Sequence, residues 1–132
     1  MTSYNIEAHP IHLGLGATAE TEPKFTGDMK WYESYAKRHA SDGAEARLVS
    51  QHSFSTPWDM WEMHPKGSEV VLCLSGEIIL LQEMEDGRVK SERLQPGDYA
   101  INPPGIWHTA DVNAPATVLF ITAGQDTQHR SR

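Results

Sequence analysis

The sequence predicts an all-β fold, a small sandwich or barrel best built as a jelly roll, preceded by an N-terminal arm and one short helix. Three observations carry this. From residue 44 onward the chain falls into eight short runs rich in Val, Ile, Leu and Thr, at 46–54, 59–64, 69–75, 77–84, 89–94, 98–103, 107–112 and 117–122. Turn residues punctuate them at Pro65-Lys66-Gly67, Ser75-Gly76, Asp86-Gly87, Pro96-Gly97-Asp98, Pro103-Pro104-Gly105 and Ala114-Pro115. Finally, 132 residues of which 39% are hydrophobic and 22% charged leave room for one core and no second domain.

Taken in order, residues 1–27 read as an irregular arm. Gly14, Gly16, Pro23 and Gly27 interrupt it, and no hydrophobic period is sustained. Such an arm packs over its own core or over a partner subunit. Asp28 then offers an N-cap for a helix running to about Ala40, with Gly43 able to end it. Met29, Tyr32, Tyr35 and Ala36 share one face of that helix, which reads as a covering face packed on the barrel. Asp86-Gly87 between two strand-like runs is a hairpin signal, since a tight turn needs residues that accept positive φ. The divisions expected are 1–43 as arm and helix, 44–122 as barrel and 123–132 as a polar C-terminal tail.

Charge and composition exclude several functions. Eleven Lys and Arg against eighteen Asp and Glu give a net charge of −7, which argues against nucleic acid or an anionic membrane as partner. One cysteine permits no internal disulfide and points to a reducing compartment. No apolar run approaches the roughly 20 residues of a spanning helix, and MTSYNIEAHP has neither the basic start nor the apolar stretch of a signal peptide. A soluble cytoplasmic protein is expected. There is no phosphate-binding loop, no Ser-His-Asp order and no zinc-finger pairing.

Polar, metal-capable side chains sit within runs that should be core. Glu62 and His64 share parity, so on a strand they point to one face. Glu69 follows a turn set by Pro65 and Gly67 that can return it opposite His64, and His108 follows the rigid Pro103-Pro104-Gly105 turn. Singly, each reads as an ordinary strand residue on a solvated face. Together, two imidazoles and two carboxylates converging inside a barrel suit a first-row divalent metal with positions open to water or substrate.

The spacing of these residues resembles that of the cupin superfamily, whose motifs read G-x5-H-x-H-x(3,4)-E-x6-G and G-x5-P-x-G-x2-H-x3-N. Here the first motif falls on Thr56, Glu62, His64, Glu69 and Gly76, and the second on Gly97, Pro103, Gly105, His108 and Val112. Seven of the ten marked positions match, over roughly residues 44–122. The resemblance implies a small single-domain cupin, a double-stranded β-helix barrel holding one divalent metal ion per chain, Fe, Mn, Ni or Zn. Carried over, His64, Glu69 and His108 are ligands. Glu62 stands where the family has its first His, and as a carboxylate it can ligate, sit beside the ligands or mark a weakened site. It is also the candidate catalytic residue, as a carboxylate able to move a proton. Val112 replaces the family's Asn and makes that wall apolar.

What the resemblance implies for function is a metal-dependent protein acting on a small organic molecule, as a dioxygenase, isomerase or lyase. The alternative is a non-catalytic ligand-binding or sensor module. Family members commonly pair through sheet edges with an exchanged N-terminal segment, so a homodimer with residues 1–27 in the contact is expected. Trp58 and Met60 share the parity of Glu62 and can line the cavity, whereas Trp61, Met63 and Trp107 fall on the opposite face. Cys73 shares the parity of Glu69, either as a cavity group or as a buried inert thiol, and His52 is either a further cavity group or an ordinary strand residue. His9, His12, His39 and His129 receive no role.

Overall fold

The computed structural model describes residues 2–132. Eleven strands and one α-helix follow in the order β1 Ile11–Leu13, β2 Ala19–Thr21, α1 Met29–Arg38, β3 Arg47–Phe54, β4 Met60–Met63, β5 Glu69–Ser75, β6 Ile78–Glu83, β7 Val89–Leu94, β8 Tyr99–Asn102, β9 His108–Asp111, β10 Ala116–Thr122 and β11 Gln128–Ser131. Strands β3 to β10 occupy the eight runs expected from the sequence. They form two antiparallel sheets, one of six strands ordered β2-β1-β3-β10-β5-β8 and one of five ordered β11-β4-β9-β6-β7. This is the jelly-roll arrangement.

The two sheets bury their facing sides. Val71 and Cys73 of β5, Ile78 and Leu80 of β6, Val118 and Phe120 of β10, and Ala110 and Val112 form the centre of one apolar cluster. Alternate residues of β5, β6 and β10 are buried, as a period of two requires when one face of a sheet is covered. Each large aliphatic side chain buried this way contributes about 1.5–3 kcal/mol relative to exposure. Cys73 belongs to this core, with its thiol directed at the carbonyls of Ser75 and Gly76, and burial pushes its pKa up. It is the inert thiol of the two alternatives.

Gly76 shows why one motif position admits no side chain. It has φ +72°, and a Cβ there would lie 2.1 Å from the Pro115 carbonyl oxygen. The Asp86-Gly87 turn joins β6 to β7 in register from Ile78↔Leu94 to Glu83↔Val89.

Three expectations need correction. The arm is not wholly irregular: β1 and β2 pair with each other, and β1 pairs with β3, extending the larger sheet. Helix α1 is capped by Asp28 as expected, but it turns a different face inward. Trp31 is its buried residue, whereas Met29 is 64% exposed and Ala36 is exposed. Trp31 wins because its indole stacks on Tyr35, meets Phe25 edge-on and donates to the Pro23 carbonyl, contacts that the arm creates. Lastly, the stretch read as a tail contains β11, which pairs with β4. Its anchors are cationic rather than apolar. The Arg130 guanidinium lies 4.5 Å from the Trp107 ring centroid and 5.3 Å from that of Trp61 and pairs with Glu83, while Arg132 pairs with Asp111.

Candidate metal centre

Register brings the site together. Across the five-stranded sheet, His129, Glu62, His108 and Gln82 stand opposite one another on β11, β4, β9 and β6. Across the six-stranded sheet, Leu48, Thr122, Glu69 and Asn102 align on β3, β10, β5 and β8. The two rows face each other. His64 joins them from the turn after β4, where its carbonyl accepts from the Gly105 N–H at 3.0 Å. Gly105 has φ +79°, so the turn before His108 is locked to the residue that His108 must meet.

All four residues expected as ligands therefore converge. Glu62, His64, Glu69 and His108 each offer one donor atom, and these atoms lie within 4.8 Å of one another. His64 Nε2 is 3.0 Å from Glu62 Oε1 and 3.2 Å from Glu69 Oε2. His108 Nε2 is 3.1 Å from Glu69 Oε1 and 3.9 Å from Glu62 Oε1. His64, Glu69 and His108 are buried, and Glu62 is 33% exposed on the open side.

The hydrogen bonds behind the donors orient them. Thr127 Oγ1 donates to the Gly124 carbonyl, so its oxygen accepts from His64 Nδ1–H at 2.7 Å. His108 Nδ1–H points at the Ile106 carbonyl at 3.4 Å. Both imidazoles thus turn Nε2 toward the centre, where each Nε2 is buried without an aligned hydrogen bond despite the nearby carboxylates. Glu69 accepts from Asn102 Nδ2 at 3.1 Å and from Thr122 Oγ1 at 2.6 Å, and Gln82 Nε2 holds Asn102 Oδ1 at 2.7 Å. Partners of this kind fix the direction of each ligand, and those that accept an imidazole Nδ1–H also raise the basicity of that His. Buried, convergent Nε2 atoms beside two carboxylates fit a divalent first-row ion, Fe, Mn, Ni or Zn, by donor chemistry.

The electrostatics point the same way. Burial would push Glu62 up, but His129 and His64 overcome it and hold the carboxyl at about 2. Glu69 is lowered further still against its own burial by His108 and His64. Burial would push His64 down, yet Glu62 and Glu69 hold it at about 9. Without a metal, a proton on His64 Nε2 occupies the place a cation would take.

His129 is the residue sequence reasoning missed. Its Nε2 lies 2.9 Å from Glu62 Oε2, so Glu62 divides its two oxygens between the centre and an exposed imidazole. The register of β11 against β4 makes that contact. His52, by contrast, packs among Phe25, Phe54 and Phe120, and burial lowers its pKa. A second cluster links His12, His39 and Asp42 at the arm. There His12 gives one ring nitrogen to Asp42 and the other to Tyr35 Oη, each at 2.6 Å, and its ring stacks on His39 at 3.5 Å. Both His12 nitrogens being used, this cluster binds the arm to α1. The two surface hollows at Ser53–Ser55 with Ser75 and Pro115–Thr117, and at Phe54 with Thr56–Asp59, lie toward the other end of β10 from Thr122.

Comparison with known proteins agrees with this fold. The profile of the cupin domain family matches residues 48–122. An oxalate oxidase structure superposes with a TM-score of 0.53 at 14% identity, over 63% of this chain and 44% of that one. The hydroquinone 1,2-dioxygenase from Sphingomonas sp. TTNP3 with 4-hydroxybenzoate bound gives 0.51 at 18%, over 58% of this chain and 59% of that one. A hydroquinone 1,2-dioxygenase in complex with Cd2+ and 4-hydroxybenzonitrile gives 0.52 at 14%, over 58% and 56%. The chain spans less than half the length of the oxalate oxidase chain. No curated protein matches it in sequence.

Proposed function

The chain belongs to the cupin family, and from that premise we propose that it binds one divalent metal ion through Glu62, His64, Glu69 and His108 and acts on a small organic molecule. One observation carries the reading: two buried Nε2 atoms without aligned hydrogen bonds face two carboxylates inside a barrel. Two carboxylates crowded into such a space are costly unless a cation lies between them, whether a proton on His64 or a bound metal ion.

The ion would supply Lewis acidity and an anchor for an anionic oxygen of the substrate. The chain supplies the rest. Asn102, Thr122 and Thr127 hold Glu69 and His64 in fixed directions, so the donor set is preorganised. Glu62 is the catalytic residue of this reading. It is the one donor with solvent access and is ionised at neutral pH, and where Oε1 stands beside the ion rather than on it, that oxygen can take a proton while Oε2 stays on His129. Fold-level likeness to an oxalate oxidase and to hydroquinone dioxygenases supports a small-molecule substrate without selecting dioxygenase, isomerase or lyase chemistry.

Glu62 in place of the family's first His, already engaged by His129, favours a second reading, a ligand-binding module without turnover. Elemental analysis of protein purified without added metal or chelator tests the shared premise, with about one ion per chain expected and none refuting it. Oxygen uptake and turnover on small carboxylates, sugars and diketones then separate enzyme from binding module.

A further inference from the structure

We propose that Arg130 is a positioning residue of the metal centre: from the outer face of its sheet it clamps β11, and β11 in turn keeps Glu62 and His64 aimed at the ion. The inference rests on the metal-site reading above, because it concerns what holds two of that site's four donors.

Strand β11 lies at the edge of the five-stranded sheet and pairs with β4 alone. None of its four residues is buried, and none is apolar. Burial of its own side chains therefore contributes almost nothing to its docking. Beyond the ladder with β4, guanidinium contacts hold it. Arg130, opposite Trp61 in register, lies over the Trp61 and Trp107 rings and pairs with Glu83 of β6. Arg132 donates to the Trp58 and Ala110 carbonyls at 2.9 and 3.1 Å and to Asp111 at 2.6 Å.

An edge strand fastened in this way reads first as a plain extension of the sheet. Its inward side argues for more. Successive side chains of a strand point to opposite faces, so with Arg130 outside, His129 points in, and its Nε2 lies 2.9 Å from Glu62 Oε2. Thr127, in the turn that leads into β11, accepts from His64 Nδ1–H at 2.7 Å. The segment 127–129 thus meets both donors that β4 and its following turn supply. Glu69 and His108 are held elsewhere. Thr122 and Asn102 hold Glu69 from β10 and β8, and His108 stands on β9 between β4 and β6. The centre accordingly has a half that depends on β11 and a half that does not. Loosening β11 frees Glu62 and His64 without disturbing the apolar cluster, none of whose residues lies on β11. By linkage, an ion that needs both donors in place must in turn hold β11 down.

The test compares the full chain with its Arg130→Gln variant, which removes the cation and keeps a polar side chain, both stripped of metal and titrated with Zn2+ in chelator buffers. Expected in Arg130→Gln are about tenfold weaker Zn2+ binding and faster amide hydrogen exchange at 128–131, with exchange in β5, β6 and β10 unchanged. In wild type, bound Zn2+ should slow exchange at 128–131. With Co2+ in place of Zn2+, the visible absorption of the saturated variant should differ from wild type, which a merely less stable fold would not produce. His129→Ala supplies a second arm. Because Arg130 acts through the inward side of β11, Arg130→Gln should weaken Zn2+ binding less in the His129→Ala background than in wild type. Wild-type Zn2+ affinity in Arg130→Gln, additive losses in the double variant, or exchange at 128–131 indifferent to Zn2+ would each overturn the proposal. So would exchange raised throughout β5, β6 and β10, since Arg130 would then support the whole fold. No Zn2+ binding by wild type is a separate outcome, which would overturn the metal-site reading and this proposal with it.

Discussion

Loading the metal-free protein with Zn2+ at pH 7 should release close to one proton per ion. The proton is the one on His64. With its imidazole held at about 9 by Glu62 and Glu69, His64 is almost fully protonated at pH 7, and its Nε2 must lose that proton before it can ligate. Glu62, at about 2, and Glu69, lowered further, arrive ionised and release nothing. Two pH units below the His64 value amount to about 2.7 kcal/mol of competition, or roughly a hundredfold in apparent affinity. Titrations in chelator-buffered Zn2+ between pH 6.5 and 8.5 should therefore tighten about tenfold per pH unit. Calorimetry at pH 7 in buffers of different ionisation enthalpy counts the protons directly. The metal-free protein supplies a matching stability curve. A raised imidazole stabilises the fold fully below its unfolded value near 6.5 and ceases to do so as pH climbs through about 9, by up to about 3 kcal/mol for a group this buried. The lowered Glu62 works in the opposite sense, its contribution present above about 4.5 and lost as pH falls through about 2. Metal should thus raise the melting temperature more at pH 8.5 than at pH 6.5. Affinity independent of pH, with no proton released, would refute the ion-paired state of His64.

Replacing His108 by Ala should bring the metal content from about one ion per chain toward none while the β-sheet circular dichroism persists, and full retention of metal would show that His108 is not a ligand. Glu62→Gln, which keeps shape and removes charge, should weaken Zn2+ binding about tenfold or more, and unchanged affinity would make Glu62 an ordinary strand residue. Gly76→Ala must place a methyl 2.1 Å from the Pro115 carbonyl at φ +72°, so a loss of about 2 kcal/mol or more and a melting temperature lower by about 8 °C are expected in thermal unfolding. Tyr99, Ile101 and Leu74, 65%, 50% and 41% exposed, lie on β5 and the edge strand β8, and the arm supplies β2 at the other edge of the same sheet. Light scattering at micromolar concentration should give a homodimer that Ile101→Glu weakens, and a monomer mass for the full chain would refute it.

The eight central strands were legible because the two-residue period and the turn residues agree, each run ending where Gly, Pro or Asp breaks pairing. Parity put Glu62 and His64 on one face and a short turn could return Glu69, and the resemblance to the cupin motifs joined His108 to them as a ligand set. His129 was not legible, for a reason that generalises within this molecule. Gln128–Ser131 has no apolar alternation, since Arg130 on Trp61 and Trp107, and Arg132 on Asp111, hold it in place of buried aliphatic side chains. A hydrophobic period cannot report a strand fastened by guanidinium groups. The same holds for α1, whose inward face is chosen by Phe25 and Pro23 of the arm rather than by the helix's own spacing. Parity could say that Glu62 and His64 share a face, but not that His129 stands beside them, because the register of β11 on β4 depends on partners more than twenty residues away in sequence. The centre therefore divides by origin. Its donors are marked by motif spacing along the chain and brought together by register, whereas of the groups that tune them Asn102, Thr122 and His129 follow from pairing between strands and Thr127 from the turn before β11.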